Sequence, residues 1–151
     1  MGCDIHLYIE RKVNGNWLSC NTWVQKLDEK NRIFFTAIDK FSYRNYKLFA
    51  ALCGVRNNKS YNITPLANLK GMPNDVSEIV YQAYDRWKDE YHSISYLSIY
   101  ELDPLFGKGD VFPEFFAQIM DKIDRISMSE FNIIDEDHRV EDVRIVFWFD
   151  N

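Results

Sequence analysis

The sequence predicts a single α+β domain, built as a mostly antiparallel sheet with about three helices covering one face. Three observations carry that reading. The chain has 151 residues, 46% hydrophobic and 16% aromatic, enough to bury one proper core. Several of its segments alternate with a period of two, and three others repeat with the helical period. No repeat, low-complexity tract or linker divides it, so residues 1–151 are expected to form one unit.

The first ten residues alternate cleanly. Cys3, Ile5, Leu7 and Ile9 point one way, and Asp4, His6, Tyr8 and Glu10 the other, which predicts a strand running to Lys12. Asn14-Gly15 is a tight-turn signal, and Trp17 to Val24 alternates as the returning strand. Asp28 to Asn31 reads as a turn, and Ile33 to Ile38 as a further short strand. Tyr43 to Cys53 reads as a helix: Ser42 can cap it, Tyr46, Phe49, Ala50 and Cys53 form its stripe, and Gly54 suits a left-handed end. Val55 to Lys70 is a long loop, a kind of segment that often carries function in compact domains.

Pro73-Asn74-Asp75 opens a second helix. Asp75 and Glu78 are spaced as a capping box, and Val76, Ile79, Val80, Ala83, Tyr84 and Trp87 share one stripe. His92 to Leu102 reads as a strand and Gly107 to Asp110 as a turn. Pro113 fits the first position of a third helix, with Phe116, Ile119, Met120, Ile123 and Ile126 inward. Asp135 to Asp142 is a charged connection that includes His138. Val143 to Phe149 is nearly continuous in its apolarity and so predicts a central strand.

With 18 basic and 23 acidic residues the net charge is −5, which argues against general nucleic-acid binding but not against a small anion held by a few arginines. Cys3, Cys20 and Cys53 are odd in number and irregularly spaced, as expected of reduced thiols without a disulfide framework. No signal-peptide pattern and no apolar run of about 20 residues is present. A soluble, cytoplasmic protein is expected. Phosphate-binding glycine loops, dinucleotide fingerprints, Gly-x-Ser-x-Gly elbows and His-Glu-x-x-His are all missing.

The residues that could carry chemistry fall in three places. Asp4 and His6 lie two apart on one strand face, with α-carbons roughly 6.6 Å apart. They suit a hydrogen-bonded structural or binding role more than catalysis, although Asp4 could orient His6 as a general base. Arg44 and Arg56 flank the first helix, and Gly54-Val55-Arg56-Asn57 follows it, with Arg56 and Asn57 placed to bond a phosphate, a carboxylate or a base edge. His92, Ser93 and Ser95 lie on one predicted strand, where alternation turns His92 away from the serines unless it ends the preceding helix or sits in a bulge. Were His92 to meet Asp4 and His6, two histidines and a carboxylate would suit zinc or iron.

Several blocks together, Met1-Gly2-Cys3-Asp4-Ile5-His6, Gly54-Val55-Arg56-Asn57, His92-Ser93-x-Ser95-Tyr96-Leu97 and Val143-Arg144-Ile145-Val146-Phe147-Trp148-Phe149-Asp150, resemble a group of small phage and prophage proteins. The resemblance implies a phage accessory protein at work in a bacterial cytoplasm. Small phage proteins of this size often counter host defences, some by sequestering or cleaving nucleotide-derived signals.

The expected function is therefore binding of a small anionic, nucleotide-like ligand. Asp4, His6, Arg44, Arg56, Asn57, His92, Ser93 and Ser95 would wall the pocket, and no cofactor is required. One alternative is a phosphoesterase or related hydrolase using His6 or His92, with a divalent metal at Asp4, His6 and His92. Another is a protein–protein inhibitor acting through an acidic or aromatic surface. Neither a membrane nor general nucleic acid is expected as a partner, and a homo-oligomer is compatible with the sequence.

Overall fold

A computed structural model describes residues 2–41, 43–106, 112–131 and 140–151. In chain order the elements are β1 (Asp4–Val13), β2 (Asn16–Ser19), β3 (Trp23–Leu27), β4 (Ile33–Ala37), α1 (Tyr46–Cys53), α2 (Glu78–Asp85), a 3₁₀ turn (Lys88–Glu90), β5 (His92–Ser98), α3 (Ile99–Phe106), α4 (Pro113–Phe131) and β6 (Val140–Asp150). Four strands form an antiparallel sheet in the order β2-β1-β6-β5, and β3 pairs with β4 as a separate hairpin. This is the expected α+β architecture, with the apolar closing strand in a central position. Among the described residues no helix is long and apolar enough to cross a membrane.

The sheet is covered on both faces. Ile5, Leu7 and Ile9 of β1 join Ile145, Phe147 and Phe149 of β6 under α1, α3 and α4. Three helices therefore cover this face, although α3 stands where a predicted strand was expected to continue. Tyr8, Val146 and Trp148 line the opposite face, under α2 and the β3–β4 hairpin. Trp23 of the hairpin stacks on Tyr8 with ring centroids 5.4 Å apart. Trp148 is therefore fully buried and offers no exposed stacking surface.

The second helix is anchored by a buried ion pair. Glu10 is wholly buried and Arg144 is 5% exposed, and their carboxylate and guanidinium meet at 2.8–2.9 Å. Glu10 also accepts the backbone N–H of Ser77, the residue that precedes α2. Arg144 reaches on to Asp75 at 2.8 Å, which explains why α2 starts at Glu78 rather than at the Pro73-Asn74-Asp75 turn: Asp75 is committed to the arginine.

The remaining differences have local causes. The returning strand breaks after Ser19 because the Asn21 side chain takes the Ile9 N–H, while Asp39 accepts from both Asn21 Nδ2 and the Thr22 N–H. Those bonds turn the chain into β3. Ser42 lies outside the described residues, and Asn45 caps α1 through its side chain, 3.1 Å from the Leu48 N–H. Gly54 ends that helix as expected, at φ 83°, with its N–H on Ala50 O.

The strand predicted to Leu102 stops at Ser98, where Ser98 and Glu101 exchange reciprocal bonds of 3.1 Å and start α3. Trp87 was assigned to a buried stripe, but α2 ends at Asp85 and Trp87 is exposed. On α4 Phe115 and Ile119 are buried and Phe116 packs half-buried against the same core, while Met120 is exposed. The predicted inward Ile123 and Ile126 side chains, the Gly107–Asp110 turn and His138 lie outside the described residues.

Candidate functional site at the end of the central strands

The first residue of β1 stands opposite the last residue of β6: Asp4 pairs with Asp150 and His6 with Trp148. This register puts Asp4, His6 and Asp150 on one sheet face, at the end where the sheet meets solvent. His6 Nε2 lies 2.7 Å from Asp150 Oδ2. An ionised carboxylate only accepts, so Nε2 carries the proton of this bond, and in the neutral tautomer Nδ1 is the acceptor. Tyr91, 4.9 Å away between ring centroids, and Trp148, stacked at 6.3 Å, back the imidazole and limit its motion.

Arg44 binds Asp4 in a fork, Nε to Oδ1 and Nη2 to Oδ2, both at 2.8 Å. The bonded guanidinium holds the Asp4 carboxyl below the ordinary carboxylate range. Gly2 makes room for this arginine: a Cβ at that position would come within 2.5 Å of Arg44 Nη1. Asp4, Ile5, His6, Lys40, Tyr43, Arg44 and Asp150 line one cleft of about 390 Å³, within the size range of small-molecule sites, roughly 300–1,000 Å³. Lys40 is exposed and forms no ion pair among the described residues.

The other predicted site residues gather on the opposite sheet face. A bulge between His92 and Ser95 sets His92 against Phe149 and Ser95 against Phe147, the same side as Ile5. Ser93, at the bulge, adopts φ 56° and its hydroxyl lies 2.9 Å from His92 Nδ1. Asn151 Oδ1 accepts from His92 Nε2 at 3.2 Å and from Arg56 Nη2 at 3.3 Å. Arg56 also bonds the Cys3 thiol and lies over the Tyr46 ring.

Two candidates are committed elsewhere. Asn57 gives its amide to Ile63 O at 2.7 Å, and the buried Ser95 accepts the Lys70 N–H at 3.1 Å. Both hold loops in place and neither lines the cleft.

The structure thus brings Asp4, His6 and Arg44 together and places Arg56, His92 and Ser93 around Asn151, with the sheet between the two groups. The expected metal set of Asp4, His6 and His92 does not assemble, because His92 faces the other side of the sheet. Among the described residues no group of three or more histidine, cysteine or acidic side chains is placed to hold a metal ion. Burial raises all three cysteine thiols above their ordinary range, Cys53 to about 11, so none is poised as a thiolate nucleophile at neutral pH.

Asp150, Lys40 and Tyr43 are the polar cleft residues that sequence reasoning missed. The signal for Asp150 was its place beside the closing strand, but the bond to His6 spans 144 positions and needs the β1–β6 register to be seen. Compared with protein-family models, with curated proteins and with solved structures, the chain matches none. Its function has to be read from its own geometry.

Proposed function

We propose that this chain binds a small anionic, nucleotide-like ligand in the cleft at the open end of β1 and β6. The phage setting comes from the sequence resemblance, and in that setting the ligand would be a host-defence signalling nucleotide held out of reach of its receptor. One observation carries the binding reading: Lys40, Arg44, His6 and Tyr43 converge on one cleft of about 390 Å³ whose two carboxylates are already engaged. Asp4 is matched by Arg44 and Asp150 by the His6 N–H; Lys40 forms no ion pair among the described residues, and its charge acts on Asp4 from beyond bonding distance. Arg44 spends Nε and Nη2 on Asp4, and its guanidinium lies against Gly2 at the cleft wall. Tyr43 supplies an aromatic side chain at the cleft wall. Asp4 and Asp150 are positioning groups in this reading, not ligand contacts.

Thermal unfolding with a panel of nucleotides tests it. A ligand at a hundredfold excess over its Kd adds about 2.7 kcal/mol, which is roughly 5–10 °C in Tm for a chain of this size. The shift should fall sharply in Lys40→Ala and His6→Ala proteins. No shift across mononucleotides, dinucleotides and cyclic oligonucleotides would overturn the reading.

The 2.7 Å bond between His6 and Asp150 favours one second reading, a hydrolase. There His6 Nδ1 takes a proton from a water whose oxygen bonds to phosphorus as the P–O bond to the leaving alkoxide breaks, the same proton then passes from His6 to that alkoxide, and Asp150 holds the ring in the correct tautomer. The two readings part on the fate of the ligand. Sequestration returns it intact after denaturation. Hydrolysis returns product, and Asp150→Asn then slows turnover while leaving binding in place.

A further inference from the structure

The second histidine carries an arrangement that the strand-end cleft does not use. β5 is an edge strand of the sheet, and its bulge holds Ser93 at φ 56°. A residue other than glycine enters this left-handed region only where its surroundings impose it. Bulges at sheet edges re-aim side chains, and this one sets the Ser93 hydroxyl 2.9 Å from Nδ1 of the neighbouring His92. The imidazole is fixed from two further sides. Phe149 stacks on it with ring centroids 6.1 Å apart, and Asn151 Oδ1 lies 3.2 Å from Nε2.

Arg56 decides where the protons sit. A guanidinium only donates, and its Nη2 reaches the same Asn151 atom at 3.3 Å, so that atom is the amide oxygen. An oxygen acceptor there requires His92 Nε2 to donate. In the neutral ring Nδ1 then holds a bare lone pair, and the Ser93 O–H donates to it. A hydroxyl on a histidine whose far nitrogen is anchored has the order of nucleophile, general base and orienting group. Asparagine fills the third role in cysteine–histidine–asparagine proteases. Ser93 and His92 are half-buried and Asn151 and Arg56 are exposed, so the group is open to a substrate from solvent.

We propose that Ser93, His92 and Asn151 form a nucleophilic site for small carboxylic esters, with Ser93 as nucleophile, His92 as general base and Asn151 as a positioning residue. Ser93 Oγ bonds to the carbonyl carbon as its proton passes to His92 Nδ1. The C–O bond to the alcohol breaks, and the alcohol leaves with that proton. Water then attacks the acyl-Ser93 ester, gives a proton to His92 and releases the carboxylic acid as Ser93 Oγ takes the proton back. Arg56 sets a fixed positive charge beside the ring, which favours the anionic tetrahedral intermediate. Because the orienting group is a neutral amide and not a carboxylate, turnover should be slow, and acylation is the step to read. The site lies on the opposite face of the sheet from the strand-end cleft and does not depend on it.

Labelling of the intact chain with a fluorophosphonate, followed by peptide mass spectrometry, tests the proposal. The reagent should attach to Ser93 with loss of fluoride, and should block the burst of p-nitrophenol released from p-nitrophenyl acetate. His92→Ala and Asn151→Ala should each slow labelling at least about tenfold. Ser93→Gly should abolish both labelling and burst. Glycine adopts this φ freely, so that variant keeps its fold, and its Tm should be unchanged or higher. The proposal is overturned if the reagent attaches to no residue or to a residue other than Ser93. It is overturned as well if Ser93→Gly retains the burst, or if either His92→Ala or Asn151→Ala is labelled at the rate of the unaltered protein.

Discussion

Glu10 with Arg144, and Asp4 with His6 and Asp150, sit on the same face of the same two strands, six residues apart along β1. At the Glu10 end the charges are sealed. Both side chains are buried, the Ser77 N–H and Asp75 complete the arginine and carboxylate contacts, and the Trp17 ring lies 3.9 Å from the Arg144 guanidinium. At the Asp4 end the same kinds of group are left reachable. The Asp4 side chain is 52% exposed and that of His6 15%, and Lys40, which forms no ion pair among the described residues, lines the same cleft. Charge on a strand face is therefore not by itself a sign of function. What separates a structural network from a candidate site is whether its donors and acceptors are already satisfied and whether a ligand can reach them.

The largest effect expected of this contrast is on stability. Glu10→Ala or Arg144→Ala leaves a buried charge without its partner and should cost about 3–5 kcal/mol in urea unfolding. Replacing both by apolar residues of similar volume should restore much of that loss, since a buried ion pair is often no better than good packing. A small loss in either single variant would erase the distinction between the two ends.

At the open end the order reverses. His6→Ala should change Tm in the absence of ligand far less than Glu10→Ala, and should remove the ligand-induced shift. If His6→Ala instead unfolds the protein and leaves no ligand effect to measure, His6 belongs with the structural network.

The smallest effect is electrostatic and appears in acid. The bonded Arg44 lowers the folded-state pKa of Asp4 below its unfolded value of about 3.9. A depressed folded pKa means that the Asp4 contribution is fully present above the unfolded pKa and is lost as pH falls through the folded one. Arg44→Ala should therefore lower stability slightly at neutral pH, with the difference from the unaltered protein closing as pH falls below about 4 and the acid limb correspondingly shallower. Because the pair is half-exposed, 1 M salt should hide most of the difference.

Much of the fold was legible because its signals are local. The alternation from Cys3 to Glu10, the Asn14-Gly15 turn, Gly54 at the end of α1 and the apolar run of β6 all read correctly from neighbouring residues. The start of α3 was legible too but was misread: Ser98 and Glu101 have the spacing of a capping box, and the β-branched and aromatic residues before them masked it. The start of α2 was not legible, since Asp75 was drawn to Arg144 from a strand 69 positions away.

The candidate site divides along the same line. Asp4, His6 and Arg44 were found from the spacing of ligand-capable groups. Asp150 and Lys40 required the antiparallel register of the first and last strands and the return of the chain past β4. His92 could join the serines by ending the preceding helix or through a bulge, and a bulge places it on the far face of the sheet.

The chain has three histidines, His6, His92 and His138, so ¹⁵N-histidine labelling gives a separate probe for the cleft and for the Asn151 side of the sheet. Titrating the nucleotide that gives the largest thermal shift should move the His6 ring resonances in proportion to occupancy and leave those of His92 in place. Movement of His92 with a silent His6 would contradict the assignment of the ligand to the open end of β1 and β6.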